Sequence, residues 1–181
     1  MPQDNAMQKS SMTQWDENGH LEVLTFDIGE ERLAIEAANI REILDLLPET
    51  RVPGAPEIVS SVVNFRGKII PIADLRVVFG VAPQTADTSG ANSERVARVD
   101  AVGDHRIVVI EAELDDELIQ IGLRADKVHE VATLDQRDSS EPPVLGMRWK
   151  REFVRELVRQ PDSVIVLPDL QEIFRSMASA A

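Results

Sequence analysis

The stretch VNFRGKIIPIADLR, residues 63–76, decides the fold of this chain. Two apolar runs, Val62–Phe65 and Lys68–Ile72, flank Gly67, and short runs separated by a turn residue are typical of a β-hairpin. Glycine suits the turn because it tolerates positive φ. Asp74 then precedes an apolar pattern with helical spacing at Leu75, Val78 and Phe79. This pattern predicts a helix of about two turns with Asp74 as its cap.

Short apolar runs of the same kind occur along the rest of the chain. They are rich in Val and Ile, whose branching at Cβ suits a pleated surface. We expect strands at Leu21–Ile28, Arg32–Ile35, Ile40–Leu44, Arg106–Ile110, Leu118–Leu123, Val128–Leu134 and Ser163–Leu167. A second short helix is predicted after Asp169, where Leu170, Ile173 and Phe174 repeat the spacing that follows Asp74. The fold class is therefore mainly β with short helices.

The two halves of the chain resemble each other. An offset of 95 residues places Asp74-Leu75 on Asp169-Leu170 and Ile69-Ile70 on Val164-Ile165. An offset of 88 residues places IREI, residues 40–43, on VHEV, residues 128–131. The extra residues of the second half fall near 135–143, a polar stretch that ends in two prolines. The repeat predicts two similar small β-barrels packed against each other.

Composition narrows the class of function. The chain of 181 residues has no cysteine, which excludes disulfides and thiolate chemistry and agrees with a reducing cytoplasm. No stretch approaches the about 20 apolar residues that cross a bilayer, so we expect no direct membrane insertion. The net charge of −13 repels phosphate backbones, and with only two Trp and five Phe for base stacking it argues against nucleic-acid binding. The expected partners are proteins.

The opening stretch closely resembles the signature N-L-R-G-x-I-x-P-I-x-D-L-R of the CheW family of chemotaxis coupling proteins. FDIGEERLAI, residues 26–35, is similar to the family's opening hairpin, and IREI, residues 40–43, to the strand that follows. Arg51-Val52-Pro53 and Pro56 match the stretch before the signature. The resemblance covers about residues 21–175. The chain departs from the family at Leu33, where an aromatic residue is usual, and in the charged segment 147–152.

The resemblance implies two SH3-like five-stranded β-barrel subdomains. We expect a disordered tail at 1–19, a first barrel at 20–82, a linker at 83–95, a second barrel at 96–175 and a C-terminal tail at 176–181. Which strands the two barrels exchange is left open. The implied function is a non-catalytic scaffold that couples chemoreceptors to a CheA-type histidine kinase. The protein is then cytoplasmic and recruited to membrane receptor arrays.

The resemblance also implies two protein-binding surfaces. One binds the cytoplasmic hairpin tip of a chemoreceptor, and the other binds the regulatory domain of the kinase. The expected receptor groove contains Ile40, Glu42, Ile43, Arg66, Ile107 and Val109. The expected kinase contacts are Val52, Pro53, Pro56 and Ile58.

Each of these assignments has an alternative. Strand alternation can place Ile40 and Glu42 on the outer face with Ile43 inside the barrel, or the reverse. Arg66 offers a fork of donors to a carboxylate of Glu42 or of a receptor helix, but it can also be an ordinary surface arginine. Ile107 and Val109 fit a barrel interior as well as a groove.

Catalytic and metal-binding functions find little support. Asp74 and Asp169 superficially match an aspartic protease dyad, but Leu follows each where that chemistry needs a small hydroxyl residue and glycine. The three histidines, His20, His105 and His129, lack metal-ligand spacing, and no glycine-rich phosphate loop occurs. We expect no enzyme, no cofactor and no metal. The second hypothesis is an adaptor or competitor in a paralogous motility or surface-sensing pathway that binds only kinase or only receptor.

Overall fold

The computed structural model describes residues 13–81, 104–114 and 116–178. The predicted linker 83–95 lies outside these residues, as do 1–12 and 179–181 of the two predicted tails. The strands in the described part are β1 (His20–Ile28), β2 (Glu31–Glu36), β3 (Ile40–Asp45), β4 (Glu49–Arg51), β5 (Ser61–Phe65), β6 (Lys68–Ala73), β7 (Arg106–Leu114), β8 (Glu117–Ala125), β9 (Lys127–Asp135), β10 (Ser139–Ser140), β11 (Val154–Arg159) and β12 (Val164–Pro168). Among the same described residues, the helices are α1 (Arg76–Phe79) and α2 (Leu170–Ala178), with 3₁₀ turns at Ala37–Asn39, Glu57–Val59, Gln136–Asp138 and Arg151–Phe153.

The strands form two six-stranded sheets with the same internal order. The first sheet runs β4-β5-β6-β8-β7-β3, and the second runs β10-β11-β12-β2-β1-β9. Each sheet is antiparallel except at one central pair, β6 with β8 in the first and β12 with β2 in the second. The offsets of the sequence repeat match these strands one to one. The mainly β prediction and the duplicated architecture therefore agree with the structure.

The contiguous barrel boundaries 20–82 and 96–175 need correction. The β1–β2 hairpin belongs to the second sheet, with strands from the other half of the chain, and the β7–β8 hairpin belongs to the first. The physical reason lies in the two parallel pairs, which join strands from opposite halves. The sequence left open which strands the two barrels exchange. In the structure, each sheet takes one hairpin from the other half of the chain. Each sheet has one strand more than the five that were predicted, if the short edge strands β4 and β10 are counted.

A shared core holds the two sheets together. The largest cluster of buried side chains draws Phe26 and Leu33 from the second sheet and Val108 and Leu123 from the first. Two smaller clusters fill the individual barrels, one around Val23 and the other around the residues Leu44, Val63, Ile70, Ile72, Ile107 and Val109. Burial of this apolar surface dominates folding and fixes both barrels in one body.

Gly122 marks the parallel crossing of the first sheet. It pairs with Ile72 across β6 and β8. A Cβ at this position would lie 2.6 Å from Ile72 Cδ1 and 2.7 Å from Ile107 Cγ2, so the crossing requires a residue without a side chain. The repeat places Ala34, also fully buried, at the equivalent position of the second sheet. A small residue at this point lets the two barrel walls approach closely.

Both short helices follow the predicted aspartates. Asp169 Oδ1 accepts a hydrogen bond of 2.9 Å from the Glu172 N–H, and Asp74 Oδ1 accepts one of 3.0 Å from the Arg76 N–H. Both carboxylates thus satisfy backbone donors at the start of a helix. The predicted capping role is confirmed for Asp169. The helix α1 is shorter than the predicted two turns and has Leu75 as its N-cap residue, so Asp74 stabilises the turn that leads into the helix.

The two predicted tails are shorter than expected. Trp15 packs on the core of the second sheet, and its indole Nε1 lies 3.4 Å from Glu156 Oε1. Asp16 Oδ1 accepts hydrogen bonds of 2.8 Å from the Asn18 and His20 N–H groups, which forms a turn directly before β1. At the other end α2 continues to Ala178, past the predicted boundary at residue 176.

Candidate functional site

Arg66 lies at the tip of the β5–β6 hairpin in an ordered, two-residue turn. Arg66 has φ of 50° and Gly67 has φ of 80°, the combination that a type I′ hairpin turn requires. Asn64 Oδ1 accepts a hydrogen bond of 3.0 Å from the Gly67 N–H, which closes the turn. The turn therefore fixes where the Arg66 side chain leaves the backbone.

The Arg66 guanidinium contacts two side chains among the residues that the structure describes. Its Nη1 lies 3.5 Å from Glu42 Oε1 on β3, and its central carbon lies 4.6 Å from the centroid of the Phe65 ring. The pair with Glu42 is one of the two carboxylate contacts that the sequence allowed. The Arg66 side chain is still 76% exposed, so most of its donors face solvent. An arginine held in this way presents an oriented fork for a further carboxylate.

Strand β3 takes the second of the two registers that the sequence left open. Ile43 is 45% exposed and Leu44 fills the barrel, so Ile43 lies on the outer face. Ile40 is half-buried and packs on the shared core. Burial alternates along the whole strand, as the sequence predicts for a β-strand, although the pairing of β3 with β7 shifts between Ile40 and Glu42.

A salt bridge at this point of β3 fixes the strand to its neighbour. Arg41 donates to both oxygens of Glu111 on β7, at 3.2 Å and 2.5 Å. The hydrogen bonds from Arg41 hold the pKa of Glu111 below its usual range. This bidentate contact keeps Glu42 and Ile43 in place next to the Arg66 hairpin.

Ile107 and Val109 do not line a groove. They are 0% and 3% exposed and pack against Leu44, Val63 and Ile70 in the core of the first barrel. Both residues alternate inward from β7, so their assignment to the receptor groove is corrected to a role in the barrel interior. Phe65 and Ile69, which flank the turn, were not predicted as site residues, and Ile69 is 63% exposed. We define the Arg66 surface as Glu42, Ile43, Phe65, Arg66 and Ile69.

The loop of residues 52–56 forms a second surface. Val52 is exposed to 40%, and Pro53 and Pro56 are also exposed. The loop is tied down by the Val52 N–H, which donates to the Ser60 carbonyl at 2.9 Å. A shallow depression lies between the loop and Ser60.

Ile58 does not belong to this surface. It is 2% exposed and packs in the shared core, so the expectation of a direct kinase contact is corrected. The 3₁₀ turn Glu57–Val59 directs its side chain inward, where it anchors the loop from below.

One buried charge network lies where the two sheets meet, and a second, partly buried network lies within the second sheet. Arg76 on α1 is 5% exposed and pairs with Asp126, in the turn between β8 and β9, and with Asp74. Burial, with the neighbouring Arg76 and Arg124, lowers the pKa of His105, which lies 3.7 Å from Asp126 Oδ1. Buried pairs of this kind hold a fixed geometry because separating them leaves an uncompensated charge.

The second network joins β1, β2 and β9. Asp27 Oδ2 lies 2.6 Å from His129 Nε2, and Asp27 Oδ1 accepts a hydrogen bond of 3.0 Å from Arg32 Nε. Burial opposes ionisation of Asp27, but the hydrogen bonds from Arg32 and His129 outweigh it and lower the pKa of this carboxyl. Within the described residues, no group of three or more His, Cys, Asp or Glu side chains is arranged to hold a metal ion. Among the same residues, no helix has the length and apolarity to span a bilayer.

Two barrels with exchanged hairpins carry exposed apolar side chains and, at the Arg66 surface, an exposed arginine–glutamate pair, which are features of a protein-docking module. A family model described as CheW-like domain matches residues 22–178. The chain belongs to this CheW family. The family identity, the predicted SH3-like fold and the function of an adaptor in chemotaxis-like signal transduction are thereby confirmed.

Individual relatives support the assignment over most of the chain. Chemotaxis protein CheW of Rhizobium meliloti is 28% identical over 159 residues, which cover 88% of this chain and 90% of that protein. Chemotaxis protein CheW of Treponema pallidum is 26% identical over 155 residues, 86% of this chain and 82% of that protein. The crystal structure of the scaffolding protein TtCheW from Thermoanaerobacter tengcongensis matches with a TM-score of 0.62 and 26% identity, covering 82% of this chain and 88% of that one.

Proposed function

We propose that this chain is a non-catalytic scaffold that binds a chemoreceptor hairpin tip and the regulatory domain of a CheA-type histidine kinase at the same time. The observation that carries the proposal is the Arg66 surface, where an oriented charge pair stands among exposed apolar side chains. Docking of a helical tip requires this combination, because apolar contacts supply affinity and fixed charges set the register.

The Arg66 surface is the proposed receptor site. Ile43, next to Glu42 in sequence, and Ile69, on the strand that follows Arg66, add exposed apolar area to this surface. A carboxylate on a receptor helix can approach the free donors of Arg66, while Glu42 keeps the guanidinium oriented. Phe65 supports the guanidinium from below and adds a further apolar contact.

The loop of residues 52–56 is the proposed kinase site. Val52, Pro53 and Pro56 offer an exposed apolar ridge with little conformational freedom to lose on binding, because proline fixes φ. Ile58 contributes indirectly by anchoring the loop in the core. Because this loop and the Arg66 surface share no residue, both partners can bind together.

The proposed partners also determine where the protein acts in the cell. A net charge of −13 disfavours direct binding to anionic lipid, so recruitment to membrane receptor arrays proceeds through protein contacts. The scaffold itself is cytoplasmic.

Ternary co-purification tests the proposal. The full chain is mixed with a CheA-type kinase regulatory domain and a soluble receptor hairpin, one of which carries an affinity tag. A coupling scaffold brings both partners down in one complex. An adaptor that competes in a paralogous pathway binds one partner alone or releases one when the other is added, and that result would replace the coupling function. Arg137→Ala, at an exposed ion pair far from both surfaces in sequence, is the matched control.

A further inference from the structure

An Asn-Gly pair, Asn18-Gly19, lies in the turn before β1. Of the asparagines in the sequence, Asn18 alone is followed by glycine. Glycine lacks a Cβ, so its backbone nitrogen can approach the side-chain carbon Cγ of the asparagine before it. This approach begins deamidation, a modification that needs only water as co-reactant. Asn18 is exposed and therefore open to this chemistry.

Deamidation replaces the side-chain amide of Asn18 by a carboxyl group. The backbone nitrogen of Gly19 gives up its proton and bonds to Asn18 Cγ, and the side-chain nitrogen leaves as ammonia. Water then opens the resulting cyclic imide at either of its carbonyl carbons. One opening yields aspartate, and the other yields isoaspartate, in which the main chain runs through Cβ and Cγ. Both products add a negative charge, and isoaspartate also lengthens the main chain.

In the folded protein, the nitrogen that must attack is held in a hydrogen bond. The Gly19 N–H donates to the Asp16 carbonyl at 2.9 Å. Asp16 Oδ1 accepts hydrogen bonds of 2.8 Å from the His20 and Asn18 N–H groups, and the bond from His20 lowers the pKa of the Asp16 carboxyl. Loss of the Gly19 proton in a turn that already holds a carboxylate is unfavourable. We call residues 16–20 the Asp16 turn.

The Asp16 turn also joins β1 to the segment that carries Trp15. On one side, the Gly19 carbonyl accepts a hydrogen bond of 2.8 Å from the Gln136 N–H, which ties the turn to the end of β9. On the other side, Trp15 packs on the core of the second sheet. A longer main chain at residue 18 changes the distance between these two anchors, so it displaces Trp15.

We propose that Asn18 is a site of spontaneous deamidation whose rate is set by local opening of the Asp16 turn, and that isoaspartate at this position releases Trp15 from the second barrel. Few backbone hydrogen bonds hold this turn, so it opens without unfolding of the sheets. The reaction takes place in the open form, and its rate follows the fraction of open molecules. The inference goes beyond the proposed coupling function, because residues 15–20 belong to neither the Arg66 surface nor the loop of residues 52–56.

The rate of deamidation in the full chain tests the first part. The chain is incubated at mildly alkaline pH, and peptide mapping by mass spectrometry follows the conversion of Asn18. A synthetic peptide of residues 13–24 gives the rate without the folded turn. The full chain reacts at least about tenfold more slowly than the peptide, because the turn is closed most of the time. Asn39 and Asn64, which large side chains follow, are internal controls and stay intact.

Substitutions distinguish local opening from unfolding of the whole chain. Asp16→Ala removes the acceptor of two backbone hydrogen bonds, so the rate at Asn18 rises toward that of the peptide. Asp16→Asn keeps an acceptor oxygen without the charge and gives an intermediate rate, and urea unfolding shows that each variant is folded. Gly122→Ala strains the first sheet but not the turn, so the rate stays unchanged.

Three results would overturn the control by the turn. They are a full chain that reacts as fast as the peptide, Asp16 variants that react no faster than the unmodified chain, and an acceleration by Gly122→Ala. The last result would assign the reaction to global unfolding. Because these rates are measured without kinase or receptor, they do not depend on the coupling function.

Release of Trp15 is measured on the product. Ion exchange separates the deamidated chain by its added charge. A Trp149→Phe background leaves Trp15 as the source of tryptophan fluorescence, since the chain has two Trp. Acrylamide quenches this fluorescence more strongly in the deamidated chain than in the unmodified one. Asn18→Asp adds the same charge without a longer main chain and leaves the quenching unchanged, so equal quenching in all three forms would overturn the release of Trp15.

Discussion

Replacement of Arg66 by alanine separates binding from folding at the proposed receptor surface. The side chain is 76% exposed, and its Glu42 partner is 38% exposed. Exposed ion pairs contribute about 0–1 kcal/mol, and an exposed cation–π contact such as that with Phe65 contributes about 0.5–1 kcal/mol. We therefore expect the free energy of unfolding to fall by at most about 1–2 kcal/mol. For a chain of this size that is a loss of about 2–8 °C in Tm.

The expected effect on receptor binding is larger. An arginine at the centre of an interface commonly contributes about 2 kcal/mol or more, which corresponds to about 30-fold in Kd. Isothermal titration of the variant with a soluble receptor hairpin measures this loss, and urea unfolding of the same samples measures the stability. Arg66→Lys keeps the charge but loses the planar fork, so we expect an intermediate Kd.

Two results would refute this reasoning. Unchanged receptor affinity of Arg66→Ala would remove Arg66 from the receptor surface. A loss of kinase affinity equal to the loss of receptor affinity would mean that the variant perturbs the whole fold or that the two surfaces are coupled. Arg137→Ala, which removes another highly exposed ion pair, should change neither affinity.

Three further predictions address the fold that carries these surfaces. Gly122→Ala should lower the free energy of unfolding by about 1–3 kcal/mol, as measured by urea unfolding. Adding Ile72→Val to this variant should restore part of the loss, because it removes the Cδ1 atom that lies 2.6 Å from the new Cβ. If the effects of the two substitutions simply add, this packing is contradicted. Arg76→Ala should lower the free energy of unfolding by about 3–5 kcal/mol in the same assay, because it leaves the Asp126 carboxylate buried without its partner. A loss below about 1 kcal/mol would argue against a buried ion pair. Asp27 has a lowered pKa in the folded state, so its stabilising effect is present above its ordinary value of 3.8 and is lost as the pH falls below it. Asp27→Asn should therefore flatten the acid limb of the stability curve below about pH 4, and an unchanged limb would exclude this role.

The sequence predicted the strands better than their partners. All nine predicted runs coincide with strands. A strand can be recognised from its own residues, because the spacing of its apolar side chains shows which of them are buried. Strands β4 and β10 are short and polar, and in β11 the pair Arg155-Glu156 interrupts the apolar pattern, so none of the three was predicted. The exchange of hairpins depends on pairing between distant segments, which a local pattern does not encode.

The candidate site shows the same division. The tight turn at Arg66 was predicted from Gly67 and the apolar runs on either side of it. The contact of Arg66 with Glu42 was one of two partners that the sequence allowed, and the family signature drew attention to both residues. Alternation puts Ile43 on the face of β3 opposite Ile40 and Leu44, but the sequence alone does not show which of the two faces turns inward. Ile107 and Ile58 were assigned to surfaces because an apolar side chain looks the same in sequence whether it faces a core or a partner.

The internal repeat explains why a duplicated fold carries different surfaces. Val131 on β9 and Val164 on β12 occupy the positions of Ile43 and Ile69 and are also exposed, at 58% and 50%. The position of Arg66, however, is occupied by Pro161 in the second half, so the second half has no arginine at this point of the repeat. The loop of residues 141–150, which carries the exposed Val144 and Leu145, occurs only in the second half. The two halves therefore share the packing that folds them and differ in the side chains that they expose, as the proposed binding of two unlike partners requires.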